Sequence, residues 1–415
     1  MFYLTSRAKL LRQFRFCLIL RPVRPKDLSC IFYIRQTIQK CAIITPMQIT
    51  IEKIVYPGKS MARVNEKVIF TDEGLPGETV ETYIVKNKKN YTQAKTSRVL
   101  EASSCRVSPK CSHYAACSSY QYIDYPFQLE IKQAQVKEMF LRGLGINLEG
   151  DIIKPSSLIW GYRNSAKLSV LWEKHTPKLA YHKPGSFDKF IEVEKCFLLS
   201  DKINLKLAET LKTLKDNKLY DINEISVREN SCENIDDKNF LMDAESFFQI
   251  NTPMLKEVIK DMKSCLKDTD IKTIADLYCG IGTFGIILSG LAENVLGVES
   301  SADNIGYLKK NIDGNNIKNY RLYEGDCEYL AEKIFSQNID VFILDPPRKG
   351  LGDKICRMLI ERPASVIIYL SCDPATLTRD LKKLLTRYKL EKAQCYDFFP
   401  HTPHIETMCA LKAVS

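Results

Sequence analysis

A cysteine delivered by an apolar strand is the residue in this chain best placed to do chemistry. Val366-Ile-Ile-Tyr-Leu370 leads directly into Ser371-Cys372-Asp373-Pro374. Pro374 suits the first turn of the helix that ATLTRDLKKLL should form. Cys372 is therefore expected at a strand end and helix start, where the helix dipole lowers a thiol pKa below its free value of about 8.5. Adjacent Asp373 works against that. With 15 cysteines in the chain, an arbitrary one is more often core than catalytic; Cys372 stands out because it falls at the ligand edge of a sheet. A second cluster is Asp397-Phe-Phe-Pro-His401-Thr-Pro-His404-Ile-Glu406-Thr407, which holds two of only five histidines. A metal bound by His401 and His404 has weak support from spacing alone, and a general base at Glu406 is the better reading.

The segment TIADLY runs into Gly280-Ile-Gly282-Thr283-Phe284-Gly285. Glycines at this spacing let the backbone turn sharply and approach a ligand before a helix begins. Taken alone it is a weak dinucleotide signature. Glu299 ends the next strand, 17 residues after Gly282; an acid there hydrogen-bonds a ribose diol in nucleotide sites and in S-adenosylmethionine sites alike. Asp276 opens the turn, and Asp326 follows a third strand, where it suits the adenine side of the ligand. These two acids favour S-adenosylmethionine over a nicotinamide cofactor, and a turn kept tight only for packing is the plainer alternative. Leu344-Asp345-Pro346-Pro347-Arg348 closes a fourth strand with a loop stiffened by two prolines; it resembles the acidic Pro-Pro loop of methyltransferases that act on nucleobases. Phe247-Phe248-Gln249-Ile250-Asn251 puts two amides after an aromatic pair at the entrance to this region.

Alternating strands and helices are needed to bring these residues together. From about residue 241, TIADLYC, NVLGVES, VFILD and SVIIYLSC read as strands with amphipathic stretches between them: a doubly wound α/β sheet, with ligands beyond the carboxyl ends of its strands. Residues 48–104 read as four or five short strands broken by Pro57-Gly58, Gly74-Leu-Pro-Gly77 and Asn87-Lys-Lys-Asn90, which suggests a small OB-type β-barrel. Lys86, Lys88, Lys89, Lys95 and Arg98 mix with Tyr83 and Tyr91 around its last turn, a pattern suited to single-stranded RNA or simply a solvated turn. Residues 105–240 are a mixed α+β segment, with helices expected over Phe127–Leu144 and Ser200–Lys218. The resulting division is 1–46, 47–104, 105–240 and 241–415.

The composition is that of a globular chain of 415 residues, 45% hydrophobic and 27% charged, which excludes disorder or fibrous repeats for the bulk. No apolar run approaches the roughly 18–20 residues of a membrane span. The odd cysteine count rules out complete disulfide pairing, and the thiols read as reduced. Residues 1–46 carry nine Lys/Arg against Asp27 alone, leaving only +2 of the net +10 for the other 369 residues. Any nucleic-acid surface on the body is thus a local patch. The basic segment reads as a transit peptide, an RNA-binding arm or an upstream extension of a working protein that begins at Met47; the last is favoured, because a patterned strand starts there.

FFQIN, DLYCGIGTFG, VES, LDPPRKG, YLSCDPATLTRD and DFFPHTPHIET, in that order, resemble the RNA uridine-C5 methyltransferase family over residues 48–415. The N-terminal barrel is similar to the TRAM domain of the ribosomal-RNA branch. The resemblance implies a cytoplasmic enzyme that methylates C5 of a uridine in RNA, with 23S ribosomal RNA ahead of transfer RNA, and no obligate protein partner. It implies Cys372 as nucleophile and Glu406 as proton acceptor. It also implies that Gln249, Tyr278, Thr283, Glu299, Asp326 and Asp345 bind S-adenosylmethionine or the target base, Thr283 standing where many relatives have asparagine. A nicotinamide-dependent oxidoreductase and a non-catalytic RNA-binding protein are the competing readings; neither gives work to both Cys372 and the Asp345-Pro-Pro loop. Relatives of the ribosomal branch carry a four-iron four-sulfur cluster on four cysteines. Cys111, Cys117 and Cys196 match three of these, but Tyr120 occupies the remaining position, and a phenol is a poor substitute for a thiolate. Either three thiolates hold the cluster or it is lost and the thiols pack; the balance favours loss.

Overall fold

The computed structural model describes residues 46–414, so the basic extension lies, but for its last residue, outside the described residues. The first strands are β1 (Met47–Thr50), β2 (Lys53–Val55), β3 (Lys59–Val64), β4 (Lys67–Thr71), β5 (Thr79–Asn87) and β6 (Tyr91–Glu101). They form one sheet in the order β1-β5-β6-β4-β3-β2. It curls like a small barrel around Ile49, Ile51, Ala62, Ile69, Val80 and Ala94, as inward apolar residues alternating with outward polar ones require. There is one strand more than the sequence suggests, because a break at Ile51-Glu52 divides the first apolar run into β1 and β2.

A short helix α1 (Tyr114–Cys117) precedes α2 (Tyr125–Leu144). Asp124 caps α2, its carboxylate accepting from the Phe127 amide at 3.0 Å, and Gly145 ends it in the left-handed region at φ 70°. Next come β7 (Ile153–Lys154), β8 (Ser165–Glu173), β9 (Thr176–His182), β10 (Phe190–Glu192), α3 (Asp201–Asp216) and β11 (Glu224–Arg228). Four of these make an antiparallel sheet, β10-β9-β8-β11, packed against Ile203, Leu207 and Leu214 of α3. A hairpin of β12 (Cys232–Ile235) and β13 (Lys238–Leu241) follows.

The C-terminal half alternates as expected: α4 (Thr252–Leu266), β14 (Thr273–Leu277), α5 (Thr283–Leu288), β15 (Asn294–Glu299), α6 (Ala302–Gly314), β16 (Tyr320–Glu324), α7 (Cys327–Phe335), β17 (Val341–Leu344), α8 (Asp353–Glu361), β18 (Val366–Ser371), α9 (Pro374–Leu384), β19 (Tyr388–Tyr396) and β20 (Glu406–Ala413). The sheet order is β16-β15-β14-β17-β18-β20-β19-β7, with β16 through β18 parallel and β20 antiparallel to β18. Its strands are buried on both faces: Phe342, Leu344, Ile367 and Tyr369 face one core, while Val341, Ile343, Ile368 and Leu370 face the other. The chain leaves β14 toward β15 and returns across it to β17, so the switch point of this doubly wound sheet opens between β14 and β17.

The middle of the chain is threaded into this sheet. β7 pairs with β19, and α2 lays Val136 and Phe140 into one core. The β12–β13 hairpin sends Ile235 and Phe240 into the other, where Asn311 of α6 and Asn315 just past its end bond the hairpin backbone.

Candidate active site

A cavity of about 430 Å³ opens at the carboxyl edge of the large sheet, lined by Gln249, Tyr278, Glu299, Asp345, Arg348, Cys372, His404 and Glu406 together with Phe247, Phe399 and the Pro346-Pro347 pair. Six of the eight catalytic and ligand-binding residues expected from sequence meet there. Thr283 and Asp326 do not line it. Thr283 is buried in the first turn of α5, and Asp326 caps α7 by accepting from the Glu328 and Tyr329 amides.

The floor is the loop after β14. Tyr278 holds φ 62°, a left-handed conformation costly for a bulky residue, in the turn that carries the chain away from the strand. Gly282 follows at φ 88°, and a Cβ there would lie 2.3 Å from Leu308 Cδ1, so only glycine fits. Asp276, wholly buried, accepts from the Gly285 amide at 2.8 Å while its other oxygen has no partner. Burial pushes its carboxyl up to about 8, aided by Asp345 and Glu299. Glu299 accepts from the amides of Gly280, Ser300 and Ser301 at 2.7–2.9 Å, tying the glycine loop to the end of β15.

The opposite wall carries the cysteine. Ser371 pairs with Thr407 across the antiparallel β18–β20 ladder, so Cys372 and Glu406 are the next opposed positions, at the open end of the ladder. Burial pushes the Glu406 carboxyl well up, with Asp345 adding to this and Arg348 opposing it; its Oε2 has no partner. Asp345 is pushed up to about 7 by burial, against the hydrogen bond that Gln249 Nε2 donates at 3.4 Å. Cys372 behaves differently from the expectation. Its thiol is pushed up to about 12 by burial and by Glu406, with Arg348 opposing and Asp345 reinforcing. The helix dipole does not reach it in full, because Asp373 already occupies the start of α9 by accepting from the Ala375 and Thr376 amides at 3.0 and 2.9 Å.

His401 and His404 do not converge on a metal. His401 stacks on Trp160 at 3.7 Å and bonds Gln128, whereas His404 faces the cavity beside Phe399. Burial lowers both, to about 3 and about 4, so both rings are neutral. Their loop is anchored from α2: the fully buried Lys132 ammonium donates to Asp397 at 2.5 Å and to the Phe399 carbonyl at 3.1 Å.

Two contributors escaped the sequence reasoning. Arg348 follows the Pro-Pro pair directly, and an arginine on a rigid loop among acids was a readable signal. Tyr56 had no such signal. It comes from the curled N-terminal sheet, and its hydroxyl donates to Asp373 Oδ2 at 3.1 Å, beside the cysteine. Tyr56 also lines a groove of about 520 Å³ with Lys59, Phe70, Tyr91, Gln93 and Lys95.

The cysteines of the middle segment lie apart from this cavity. Cys117, Cys196 and His113 present ligand atoms within 4.8 Å of one another. Cys111 instead faces Gln121, whose amide nitrogen is 3.3 Å from its sulfur. Cys117 is pushed up and Cys196 down, since the two thiols share a proton.

Residues 227–414 match the family model described as tRNA (Uracil-5-)-methyltransferase. The chain is 28% identical to an uncharacterized RNA methyltransferase of a Synechocystis species, over 89% of this chain and 96% of that one. It is also 28% identical to the 23S rRNA (uracil(1939)-C(5))-methyltransferase RlmD of Vibrio campbellii, over 87% and 94%. Among solved structures, that of Pyrococcus abyssi tRNA (uracil-54, C5)-methyltransferase with S-adenosyl-L-homocysteine superposes with a TM-score of 0.70 at 22% identity, covering 88% of this chain and all of that one. Among the described residues no helix is long and apolar enough to cross a membrane.

Proposed function

We infer that this chain, which belongs to the RNA uracil-C5 methyltransferase family, transfers a methyl group from S-adenosylmethionine to C5 of a uridine in ribosomal RNA through a covalent bond between Cys372 and C6. The observation that carries this reading is that Cys372, one residue past the last β18–β20 pair, and Glu406, at the start of β20, line one cavity whose floor is the glycine loop.

The cavity suits the donor on charge. Glu299, Asp345 and Glu406 line it, and burial pushes the last two toward neutrality, with Arg348 opposing at Glu406. A sulfonium and an ammonium brought in by the donor would draw those carboxyls back to their ionised forms. When bound, S-adenosylmethionine supplies an electrophilic methyl group. Glu299 and Tyr278 hold it at the β15 and β14 edges, and Gln249 with Asp345 orients the methyl-bearing end or the base.

C5 of uracil is a poor nucleophile until a group adds at C6. Cys372 loses its proton to solvent and its sulfur bonds C6, which makes C5 enolate-like and able to take the methyl, the sulfonium departing as a neutral thioether. Glu406 then removes the C5 proton, and the electron pair released re-forms the C5–C6 double bond as the carbon–sulfur bond breaks. A carboxylate that holds protons tightly is a strong base once ionised, which fits Glu406 to that step. Neutral His404 and Phe399 close the pocket against water, while Phe247, 63% exposed at the rim, offers a face to a neighbouring base.

The groove of Tyr56, Phe70, Tyr91, Lys59 and Lys95 extends the track from this pocket onto the curled N-terminal sheet, where cations and aromatics suit a single strand. Ribosomal RNA is preferred to transfer RNA because relatives that match nearly their full length carry that name. The test presents the purified protein with labelled donor and either 23S rRNA or bulk tRNA, then maps the methylated nucleotide. Label at C5 of one uridine in rRNA is expected; transfer to tRNA alone would move the substrate, and no transfer to either would sink the reading.

A further inference from the structure

The resemblance implies a four-iron four-sulfur cluster in the middle segment, and the side chains there do not fit one. Tyr120, at the remaining ligand position, is turned into a separate apolar cluster with Ile54, Leu75 and Ile123, and its hydroxyl is 3.3 Å from Gln135 Nε2. What does face Cys117 and Cys196 is an imidazole. His113 is only 4% exposed, and its Nε2 has no hydrogen-bond partner. A buried ring nitrogen left unpaired beside two sulfurs costs stability unless something fills the gap.

We propose that His113, Cys117 and Cys196 hold a single zinc-class divalent ion, with Cys111 turning from Gln121 to supply the fourth ligand. Bond lengths of about 2.3 Å to sulfur and 2.0–2.1 Å to nitrogen give a tetrahedron with edges of roughly 3.3–3.8 Å; the three ligand atoms already lie within 4.8 Å of one another. The charge balances as well. Three thiolates around a divalent ion leave one negative charge, and the buried Arg163 guanidinium, whose Nε has no partner, stands beside Cys117 and Cys196 to meet it. Other polar groups around the site are the Tyr181 hydroxyl, 3.6 Å from the Cys196 sulfur, and Ser118, 3.3 Å from that of Cys117. Four protein ligands leave no open coordination position, which is the character of a structural site. It joins the segment around α1 to the loop after β10, and Tyr120 of the same segment donates its amide to the His401 carbonyl at 2.9 Å. The ion thus pins the middle of the chain beneath the loop that ends at Glu406.

The full-length protein, purified under reducing conditions, should carry one zinc per chain by elemental analysis, no acid-labile sulfide and no visible charge-transfer absorption. Titrating its thiols with an organomercurial should release that ion stoichiometrically to a chromophoric chelator. Replacement with Co²⁺ alone should give the intense visible bands of a tetrahedral thiolate site. His113→Ala and Cys196→Ser should each bring bound zinc close to zero, while Cys232→Ser, at an exposed position, keeps one. Four irons with sulfide, or no bound metal in the wild-type protein, would overturn the proposal, and both are read without any variant that has to fold.

Discussion

Two thiol environments in this molecule pull in opposite directions. Cys372 is pushed up to about 12 by burial and then by Glu406 and Asp345, with Arg348 opposing. Cys196 sits against a second thiol, an imidazole and a buried guanidinium, and is drawn down. The side chain is the same, so the difference comes from its surroundings: burial and then Glu406 raise Cys372, whereas the hydrogen bond from Cys117 lowers Cys196. On the proposed mechanism the Cys372 thiol must lose its proton before it can attack. At the proposed metal site a thiol that ionises readily is the better ligand.

The largest effect that could break this comparison is removal of the reactive sulfur. Cys372→Ala should reduce methyl transfer by about 10⁴-fold or more while the protein remains folded by circular dichroism; residual turnover within tenfold of wild type would leave Cys372 without its role. Glu406→Gln should cost on the order of 10²–10⁴-fold and leave a protein–RNA adduct that survives denaturing electrophoresis. If the variant turns over normally, the proton leaves by another route.

The pH dependence follows from the signs. Cys372, Glu406 and Asp345 are all raised, and the reactive forms of the first two are the deprotonated ones, so protonation at lower pH removes activity and rising pH restores it. Alkylation of free-enzyme Cys372 by iodoacetamide should climb about tenfold per pH unit from 7 to 9 without a plateau. A plateau near neutrality would mean that the carboxyls do not govern the thiol. Asp345→Asn removes one of them and should raise alkylation at pH 8 by about 3–10-fold, roughly half to one pKa unit of relief. The smallest effect is expected from Tyr56→Phe, which deletes one hydrogen bond to Asp373 worth about 0.5–1.5 kcal/mol, and should raise KM for RNA about 2–10-fold with kcat little changed.

The large sheet was legible because its strands are short apolar runs ended by glycine, Asp-Pro-Pro or Ser-Cys-Asp, and each motif falls where a strand ends. Cys372 and Glu406 could be named as candidates from type and position. Their opposition could not, since it depends on β20 returning antiparallel to β18, and pairing register is a tertiary property. The Cys372 thiol departs from the sequence expectation for the same reason: the dipole is local and visible in the sequence, whereas burial and the approach of Glu406 come from the tertiary fold. His113 gave no signal, because a lone histidine two residues past a cysteine has no distinctive pattern until Cys196 folds onto it. Residues 125–154 read as part of a middle segment; in the fold β7 pairs with β19 of the large sheet and α2 packs on its core, and a two-residue strand is too short for any periodicity to reveal.

The buried contact between Lys132 and Asp397 carries a consequence for how the molecule is assembled. One partner lies in α2 and the other at the head of the loop that leads to Glu406, 265 positions later. A fragment starting near residue 241 would leave Asp397 buried without Lys132 and bare the flank that β7 covers. The arm that carries Glu406 is thus braced by a helix from the first half of the chain, and the two halves share one interior.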